Sequence, residues 1–305
     1  MSELTLKVNL NGLELQNPIM TASGTFGYGG EFWQLTDLDA LGAIVVKGIS
    51  LKPAKGNPPP RVVETAAGML NAIGLENIGF DAFVKERLPF LRKLNTKTIA
   101  NIYGTEVAHY GELARKFDEV EGVHGVEVNI SCPNVKCGGA AFGSSPKMAE
   151  EVVGAVRRNT SKFVMVKLSP NVTDIAPIAL ACEAAGADAL SLINTLVGMA
   201  VDVQTRKPKL ANITGGLSGP AIKPVALRFV WQAARAVKIP VVGVGGIATA
   251  EDALEFMIAG ARAVQVGMAN FVKPDTTGAI LAGLREFMQA QKIADINEIV
   301  GSLNI

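Results

Sequence analysis

One thiol stands where an apolar segment meets a glycine-rich stretch. Cys132 closes the run Val126-Glu127-Val128-Asn129-Ile130-Ser131-Cys132 and is followed by Pro133, and residues 136–143 then carry three glycines. The end of a strand is a rigid platform, and the loop beyond it can open and close, so a thiol here can reach a bound substrate and then be covered. Most free cysteines are small buried residues without reactivity. The neighbouring segments must therefore show whether Cys132 is a reactive thiol at a substrate site or a small buried residue.

Polar side chains of a restricted kind follow other apolar runs. Each lies at or just past the end of its run, and the set is Ser23, Lys47, Asn101, Asn129, Lys167 and Asn194. Ordinary solvent-facing strand ends would include carboxylates, which are missing from this set. Amides, a hydroxyl and two ammonium groups suit a planar ligand rich in carbonyls and ring nitrogens, together with an anion. A metal would prefer His, Asp or Glu, so no metal site is predicted, and His109 and His124 are expected to be surface residues.

Two glycine-bearing segments near the end of the chain indicate a phosphate site. They are Gly243-Val244-Gly245-Gly246-Ile247, before a predicted helix, and Gly267-Met268. Glycine lets backbone N–H groups approach a ligand closely, and a helix start adds its positive end. The spacing of a Rossmann fingerprint is absent, as is a P-loop. We therefore expect a compact phosphorylated ligand rather than a dinucleotide bound in the Rossmann manner.

Alternating strands and helices must position these residues. Short apolar runs at 19–23, 44–48, 98–102, 126–130, 163–168, 189–193, 241–244 and 263–266 are typical of parallel strands buried on both faces. Amphipathic segments lie between them, for example 146–159, 175–185, 224–237, 250–259 and 277–289. Eight such alternations predict an α/β fold, a single (β/α)8 TIM barrel occupying residues 1–305 as one domain.

Additions to this barrel are also predicted. Residues 5–10 and 13–15, joined at Asn11-Gly12, indicate an N-terminal β-hairpin with a primed turn. Long insertions follow the second and sixth strands, at 49–97 and 194–240. In barrels such insertions lie on the face where active sites are built.

The bulk composition excludes several classes of protein. Lys plus Arg number 29 against 28 for Asp plus Glu, so the charge balance gives no field for nucleic acid. The N-terminus lacks the pattern of a signal peptide, and no apolar run is long enough to span a membrane. Only three cysteines are present, which favours free thiols in a reducing, cytoplasmic compartment and is too few for an iron–sulfur cluster on this chain.

Eight segments, in order along the chain, resemble the dihydroorotate dehydrogenases, and the resemblance extends from about residue 4 to residue 290. They are 21–25 (TASGT), 46–48 (VKG), 71–77 (NAIGLEN), 129–135 (NISCPNV), 166–171 (VKLSPN), 193–195 (INT), 215–219 (GGLSG) and 243–247 (GVGGI). The residues at 71–77 and in the Val-Lys-x-Gly-Gly stretch after Cys132 are similar to those of the NAD-linked class 1B catalytic subunit. The membrane-associated class has a serine at the base position, where this chain has Cys132.

The resemblance implies an FMN enzyme of pyrimidine (UMP) biosynthesis that oxidises dihydroorotate to orotate. Cys132 matches the base that removes the C5 proton while hydride passes from C6 to flavin N5. A free thiol has a pKa of about 8.5, so it needs surroundings that favour the thiolate. Lys167 matches a cation near the flavin N1–C2=O edge. Lys47 matches a lysine that contacts both flavin and the substrate carboxylate.

The remaining implied contacts fall into two groups. Those to the pyrimidine are Lys47, Asn71, Ala72, Ile73, Gly74, Leu75, Asn129, Asn194 and Thr195. Those to FMN are Ser23, Lys47, Gly48, Asn101, Asn129, Lys167, Ile193, Gly219, Gly245, Gly246, Gly267 and Met268. Met268 stands where the family commonly has threonine, so a hydroxyl contact to phosphate would be lost.

The family also implies a partner. Class 1B enzymes pass electrons to NAD through a subunit that carries FAD and a [2Fe–2S] cluster, so a homodimer of this chain within a heterotetramer is expected. Alternatives remain open: a fumarate-linked dihydroorotate dehydrogenase, another FMN barrel oxidoreductase acting on a dihydropyrimidine, a flavin-free barrel lyase or isomerase using Lys167, or a non-catalytic binding subunit.

Overall fold

Eight parallel strands close into a barrel. The computed structural model describes residues 4–131 and 139–305. The barrel strands, β1 to β8 in chain order, are Ile19–Thr21, Ala43–Val45, Lys97–Ile102, Gly125–Asn129, Phe163–Leu168, Ala189–Leu192, Val241–Val244 and Ala261–Val266.

Strand order around the barrel is the order along the chain. Each strand pairs in parallel with the next, and β8 pairs with β1 to close the ring. Leu192 of β6, for example, is in register with Leu168 of β5 and Gly243 of β7. The strands are buried along nearly their whole length because helices cover the outside, which is why they appear in the sequence as continuous apolar runs. The predicted (β/α)8 barrel is confirmed.

Helices follow most barrel strands. The α-helices of the described residues are Phe80–Ala82, Leu88–Leu91, Val107–Asp118, Pro146–Arg157, Ala176–Ala184, Lys223–Ala236, Ala250–Ile258, Ala269–Val272 and Thr276–Gln291. A π-helical turn, Phe83–Arg87, joins the first two. Short 3-10 helices occur at Gly139–Ser144, Pro220–Ile222 and Ile296–Ile299.

The N-terminal hairpin is present as predicted. Val8–Leu10 pairs antiparallel with Leu13–Leu15. Asn11 and Gly12 at its tip have φ angles of 53° and 103°, the positive values that a primed two-residue turn requires. Leu10 and Leu15 are fully buried in the same apolar cluster as the barrel strands, so the hairpin is part of the main core.

Both long insertions contribute to one further sheet, which the sequence patterns did not predict. Four antiparallel strands lie in the order Leu196–Met199, Thr214–Ser218, Gly68–Asn71, Val62–Thr65. The central pairing joins the insertion after β2 to the insertion after β6. A separate strand pair, Val201–Asp202 with Lys207–Pro208, extends from the second insertion. Through this sheet, residues far apart in the sequence meet above the barrel.

Within the part of the chain that the structure describes, no helix is long and apolar enough to cross a membrane. The assignment of residues 1–305 to one domain remains a prediction.

Candidate active site

A cavity of about 900 Å³ opens at the carboxyl ends of the barrel strands. All six polar strand-end residues singled out in the sequence line it: Ser23, Lys47, Asn101, Asn129, Lys167 and Asn194. The strands end at one edge of the barrel, so side chains that are up to 171 positions apart in the sequence face a single space. A pocket of this size accommodates a cofactor-sized ligand.

Most of the other contact residues that the resemblance implies also line this cavity. Those that line it are Gly48, Asn71, Ile73, Gly74, Leu75, Ile193, Thr195, Gly219, Gly245, Gly246, Gly267 and Met268. Ala72 does not. It is fully buried in a small apolar cluster with Leu70 and Leu210, because alternate residues of an extended segment point to opposite faces. The prediction that residues 71–75 all contact the pyrimidine did not allow for this alternation.

Cys132 and Cys137 lie outside the described residues, so the predicted base is not placed. The residue before Cys132 is firmly held. Ser131 is fully buried, and its backbone N–H and its hydroxyl donate to Asn129 Oδ1 at 3.2 and 3.1 Å. Asn194 Nδ2 donates to Ser131 Oγ at 2.9 Å.

These bonds belong to a chain of amides that runs across the cavity floor. Asn129 Nδ2 lies 3.5 Å from Asn101 Oδ1, at the long limit of a hydrogen bond. At the other end, Asn194 Oδ1 accepts from the backbone N–H of Thr195 at 2.8 Å. Each amide is thereby restrained by a neighbour. Restrained amides recognise a ring with alternating carbonyl and N–H groups better than free ones because less side-chain entropy is lost on binding.

Backbone conformation at the predicted phosphate loops requires glycine. Gly245 and Gly246 have φ angles of 131° and 74°. A Cβ on Gly246 would lie 2.7 Å from Lys223 Cβ and 2.9 Å from the carbonyl oxygen of Gly219, so any side chain would be excluded. Among the described residues, no acceptor is found for the backbone N–H groups of Gly246, Ile247, Gly267 and Met268, all of which line the cavity. A phosphate needs such donors.

The helix that follows this loop is capped and charged. Thr249 Oγ1 accepts from the N–H of Asp252, and the Asp252 carboxylate accepts from the N–H groups of Ala248 and Thr249 at 2.9 Å each. Burial on its own raises the pKa of Asp252, but hydrogen bonds from Lys223 and from these two N–H groups outweigh it, and the pKa lies below its ordinary value. The cap fixes the start of the helix beside the glycines.

Several residues of the site were missed. Arg61 and Glu76 form an ion pair on the cavity wall, and Glu127 lies fully buried beneath Asn101 and Lys167. The predicted polar residues were restricted to strand ends, whereas Glu127 is two residues before the end of β4. A carboxylate inside an otherwise apolar strand was itself a signal, because buried charges persist where they are paired. The strand-end set itself contains no carboxylate, but Glu127 lies directly beneath two of its members.

His124 is not the ordinary surface residue that was predicted. It is half-buried, and its ring Nδ1 accepts from the backbone N–H of Thr98 at 3.1 Å. The backbone N–H of His124 in turn donates to the Thr98 carbonyl at 2.8 Å. It thus binds the start of β3. Burial and then the charge of Lys97 lower the pKa of His124. His109 lies away from the site, next to Thr105.

Comparison with known proteins agrees with this geometry. The family model described as dihydroorotate dehydrogenase matches residues 5–288. The chain belongs to the dihydroorotate dehydrogenase family. It is 60% identical over 305 residues, the whole of both chains, to a Geotalea daltonii protein named dihydroorotate dehydrogenase B (NAD(+)), catalytic subunit. Proteins with the same name from Geotalea uraniireducens and Geobacter sulfurreducens are 60% and 59% identical, over 99% and 100% of each chain. Family membership accounts for the barrel and for the cavity at its carboxyl end.

Proposed function

We propose that this chain is the catalytic subunit of an NAD-linked dihydroorotate dehydrogenase, which oxidises dihydroorotate to orotate in pyrimidine biosynthesis. The observation that carries the proposal is the convergence of Lys47, Lys167 and the amides Asn71, Asn129 and Asn194 on one cavity. Two cations suit the substrate carboxylate and a cofactor that gains negative charge. The amides suit a pyrimidine ring. Full-length identity near 60% to proteins of that name supports the same assignment.

FMN is the cofactor that the site fits. The N–H groups of Gly246, Ile247, Gly267 and Met268, which have no acceptor among the described residues, would hold its phosphate. Ser23, Gly48, Asn101, Ile193, Gly219 and Gly245 would complete its pocket. When bound, FMN accepts the hydride that leaves C6 of dihydroorotate. Lys167, buried at the cavity floor, would stabilise the negative charge that reduction creates.

The substrate would lie against the amides. Asn129 and Asn194 are held in place by Ser131, so their remaining groups are presented in fixed directions to the ring. Asn71 stands at the end of a strand of the upper sheet, and its Nδ2 donates to the Gly216 carbonyl at 3.3 Å. Lys47 is partly exposed on the wall and would contact the carboxylate. Selection of orotate over uracil would then depend on Lys47.

Cys132 would act as the base. Formation of the C5=C6 double bond requires loss of a proton from C5 together with hydride from C6, and a thiolate can take that proton. Support comes from its neighbour: Ser131 is anchored by Asn129 and Asn194, so the chain enters Cys132 from a fixed point beside the pyrimidine amides.

A partner subunit is part of the proposal. The relatives are named catalytic subunits of an NAD(+) enzyme. We expect two copies of this chain to form the core of a heterotetramer, with FAD and [2Fe–2S] on the partner, in the cytoplasm. Phe271 and Val272 on the cavity rim are 53% and 75% exposed, an apolar surface that a redox partner could cover close to the cofactor.

An anaerobic absorbance titration tests the function. The purified chain should show the spectrum of bound flavin, and dihydroorotate should bleach it with one equivalent per FMN. Dihydrouracil serves as the matched control, since it lacks only the carboxylate, and it should not bleach the flavin. A flavoprotein bleached by dihydrouracil but not by dihydroorotate would contradict the substrate. A chain that binds no FMN would contradict the cofactor.

A further inference from the structure

Three hydrogen-bond donors and one ammonium group, from four barrel strands, converge on one buried carboxylate. Glu127 Oε1 accepts from Ser191 Oγ and from Gln265 Nε2, each at 2.8 Å. Oε2 accepts from Asn101 Nδ2 at 2.6 Å, and Lys167 Nζ lies 3.9 Å away. These four groups belong to β3, β5, β6 and β8, and Glu127 itself is on β4. One side chain thus connects five of the eight strands.

The burial of this group is complete. Glu127 has no exposed surface, and Lys167 is only 5% exposed. A carboxylate removed from water is costly unless charge and hydrogen bonds compensate for it. Among the described residues, Lys167 is the only cation within 4.0 Å of Glu127. The charge of Glu127 therefore acts mainly on the ammonium group of Lys167.

Two of these four partners of Glu127 face the cavity and two do not. Lys167 and Asn101 line it, whereas Ser191 and Gln265 lie deeper and are fully buried. Glu127 therefore separates a layer that contacts the ligand from a layer that does not. Ser191 therefore has a hydrogen bond to Glu127 without lining the cavity itself.

We infer that Glu127 is a positioning residue that sets the effective charge of the cavity floor, and with it the reduction potential of the flavin. The carboxylate holds the Lys167 ammonium and the Asn101 amide in place and offsets part of the positive charge that Lys167 presents. This inference rests on the proposed function, because it requires a flavin above Lys167. It assigns to Glu127 no contact with substrate or cofactor.

The variant Glu127→Gln removes the charge and keeps the shape. The NH2 group that the substitution introduces could face the NH2 group of Gln265, which is also a donor, but the Gln265 amide can turn to avoid this conflict. Gln265 Oε1 has no hydrogen-bond partner among the described residues, so rotation of that amide by half a turn would present an acceptor. With Lys167 no longer offset, the reduced flavin should be favoured. We expect the equilibrium to shift at least tenfold, which is about 30 mV toward positive potential for a two-electron couple.

Ser191→Ala is the second variant, with the opposite expected sign. Removing one donor leaves more of the carboxylate charge for Lys167, so the flavin potential should become more negative, by less than in Glu127→Gln. Thr98→Val is the matched control. It removes another buried strand hydroxyl, one with no hydrogen-bond partner, Glu127 included, among the described residues. The potential of that variant should equal that of the unmodified chain.

Potentials are measured on the purified flavin-loaded chain by equilibration with a reference dye, and FMN dissociation constants by fluorescence. Combining Glu127→Gln with Lys167→Met tests the route, because the shift should vanish once Lys167 is absent. An unchanged potential in Glu127→Gln, or a shift that persists without Lys167, overturns the inference. If Glu127→Gln does not fold, Ser191→Ala decides: a negative shift relative to Thr98→Val supports the inference, and equality overturns it.

The two proposals fail in different ways. If the unmodified chain binds no FMN, the proposed function is wrong and this inference falls with it. If the unmodified chain binds FMN and is bleached by dihydroorotate while the variants keep its potential, the function stands and only the role of Glu127 is lost.

Discussion

The hydroxyl of Thr195 packs directly on Gly216, so closely that a Cβ built on Gly216 would lie 1.9 Å from Thr195 Oγ1. Thr195 leaves the barrel after β6, and Gly216 belongs to the sheet made by the two insertions. The contact fixes the height of that sheet above the pyrimidine amides. Glycine is the residue that this distance permits.

Gly216→Ala should therefore displace Thr195 and the sheet that carries Asn71. Because misplacement of about 1 Å costs up to roughly a hundredfold in rate, we expect kcat/KM for dihydroorotate to fall about ten- to a hundredfold, with FMN retained. Gly198→Ala, on the neighbouring strand, is the control. Its Cβ would meet the end of the Leu70 side chain at 3.0 Å and Leu217 Cβ at an ordinary 3.8 Å, and the steady-state kinetics of this variant should match the unmodified chain.

Cys132→Ala should keep FMN and lose most of the first half-reaction. General base catalysis contributes about 10² to 10⁴ in rate, and anaerobic stopped-flow absorbance measures the flavin reduction directly. Two further thiols serve as controls. Cys137→Ala alters the thiol five positions further along the sequence, and Cys182→Ala alters a fully buried thiol whose pKa burial raises to about 12. Flavin reduction at the normal rate in Cys132→Ala would exclude it as the base.

Stability should fall as the pH is lowered through the range in which histidine titrates. Burial lowers the pKa of His124 below its ordinary 6.5, so the folded chain favours neutral imidazole while the unfolded chain takes up a proton near pH 6.5. The contribution is complete above pH 6.5 and is lost as the pH falls from there toward the folded pKa. Urea unfolding at pH 7.5 and 5.5 measures this.

His124→Gln provides the comparison for that experiment. A glutamine oxygen can accept from the Thr98 N–H without titrating, so the pH dependence between 7.5 and 5.5 should shrink. His109→Gln, which changes the other histidine, should retain it. An equal slope in His124→Gln and the unmodified chain would show that His124 is not the group responsible.

Phe271→Glu should separate the two half-reactions. A charge on the exposed apolar rim would oppose docking of the redox partner, so NAD-linked turnover of the co-expressed complex should drop about tenfold or more. Bleaching by dihydroorotate in the isolated chain should be unaffected. Leu180→Glu places the same charge on a helix of the barrel exterior, where Leu180 is 46% exposed, and should leave both reactions intact. Equal NAD-linked rates would exclude this rim as the docking surface.

Local patterns were enough to predict the barrel. Strands such as Phe163–Leu168 are apolar throughout because both faces are buried, and their ends were recognisable from Asn129 or Lys167. The four-stranded sheet that the two insertions form could not be predicted in this way. Strands such as Val62–Thr65 are short and exposed on alternate positions, and their pairing partner lies in another part of the chain.

Long-range contact also explains the errors within the site. Glu127 was overlooked because its four polar partners come from four different strands, and no local pattern indicates them. Ala72 was included because it lies within the matched segment 71–77, although its side chain packs in a small apolar cluster with Leu210. Strand ends and glycine segments had already singled out most of the residues expected to contact FMN, and the resemblance added Gly48, Ile193 and Gly219.

The pairing of Asn71 with Gly216 has a consequence for biosynthesis, since the two residues are 145 positions apart. At about 5–20 residues per second on the ribosome, roughly 7–30 s pass between the synthesis of one and of the other. During that interval the emerging chain holds several barrel strands and half of the upper sheet with an unpaired edge. Such edges favour association with other chains. Nascent chains of this protein should therefore depend on a holding chaperone until residue 218 has emerged.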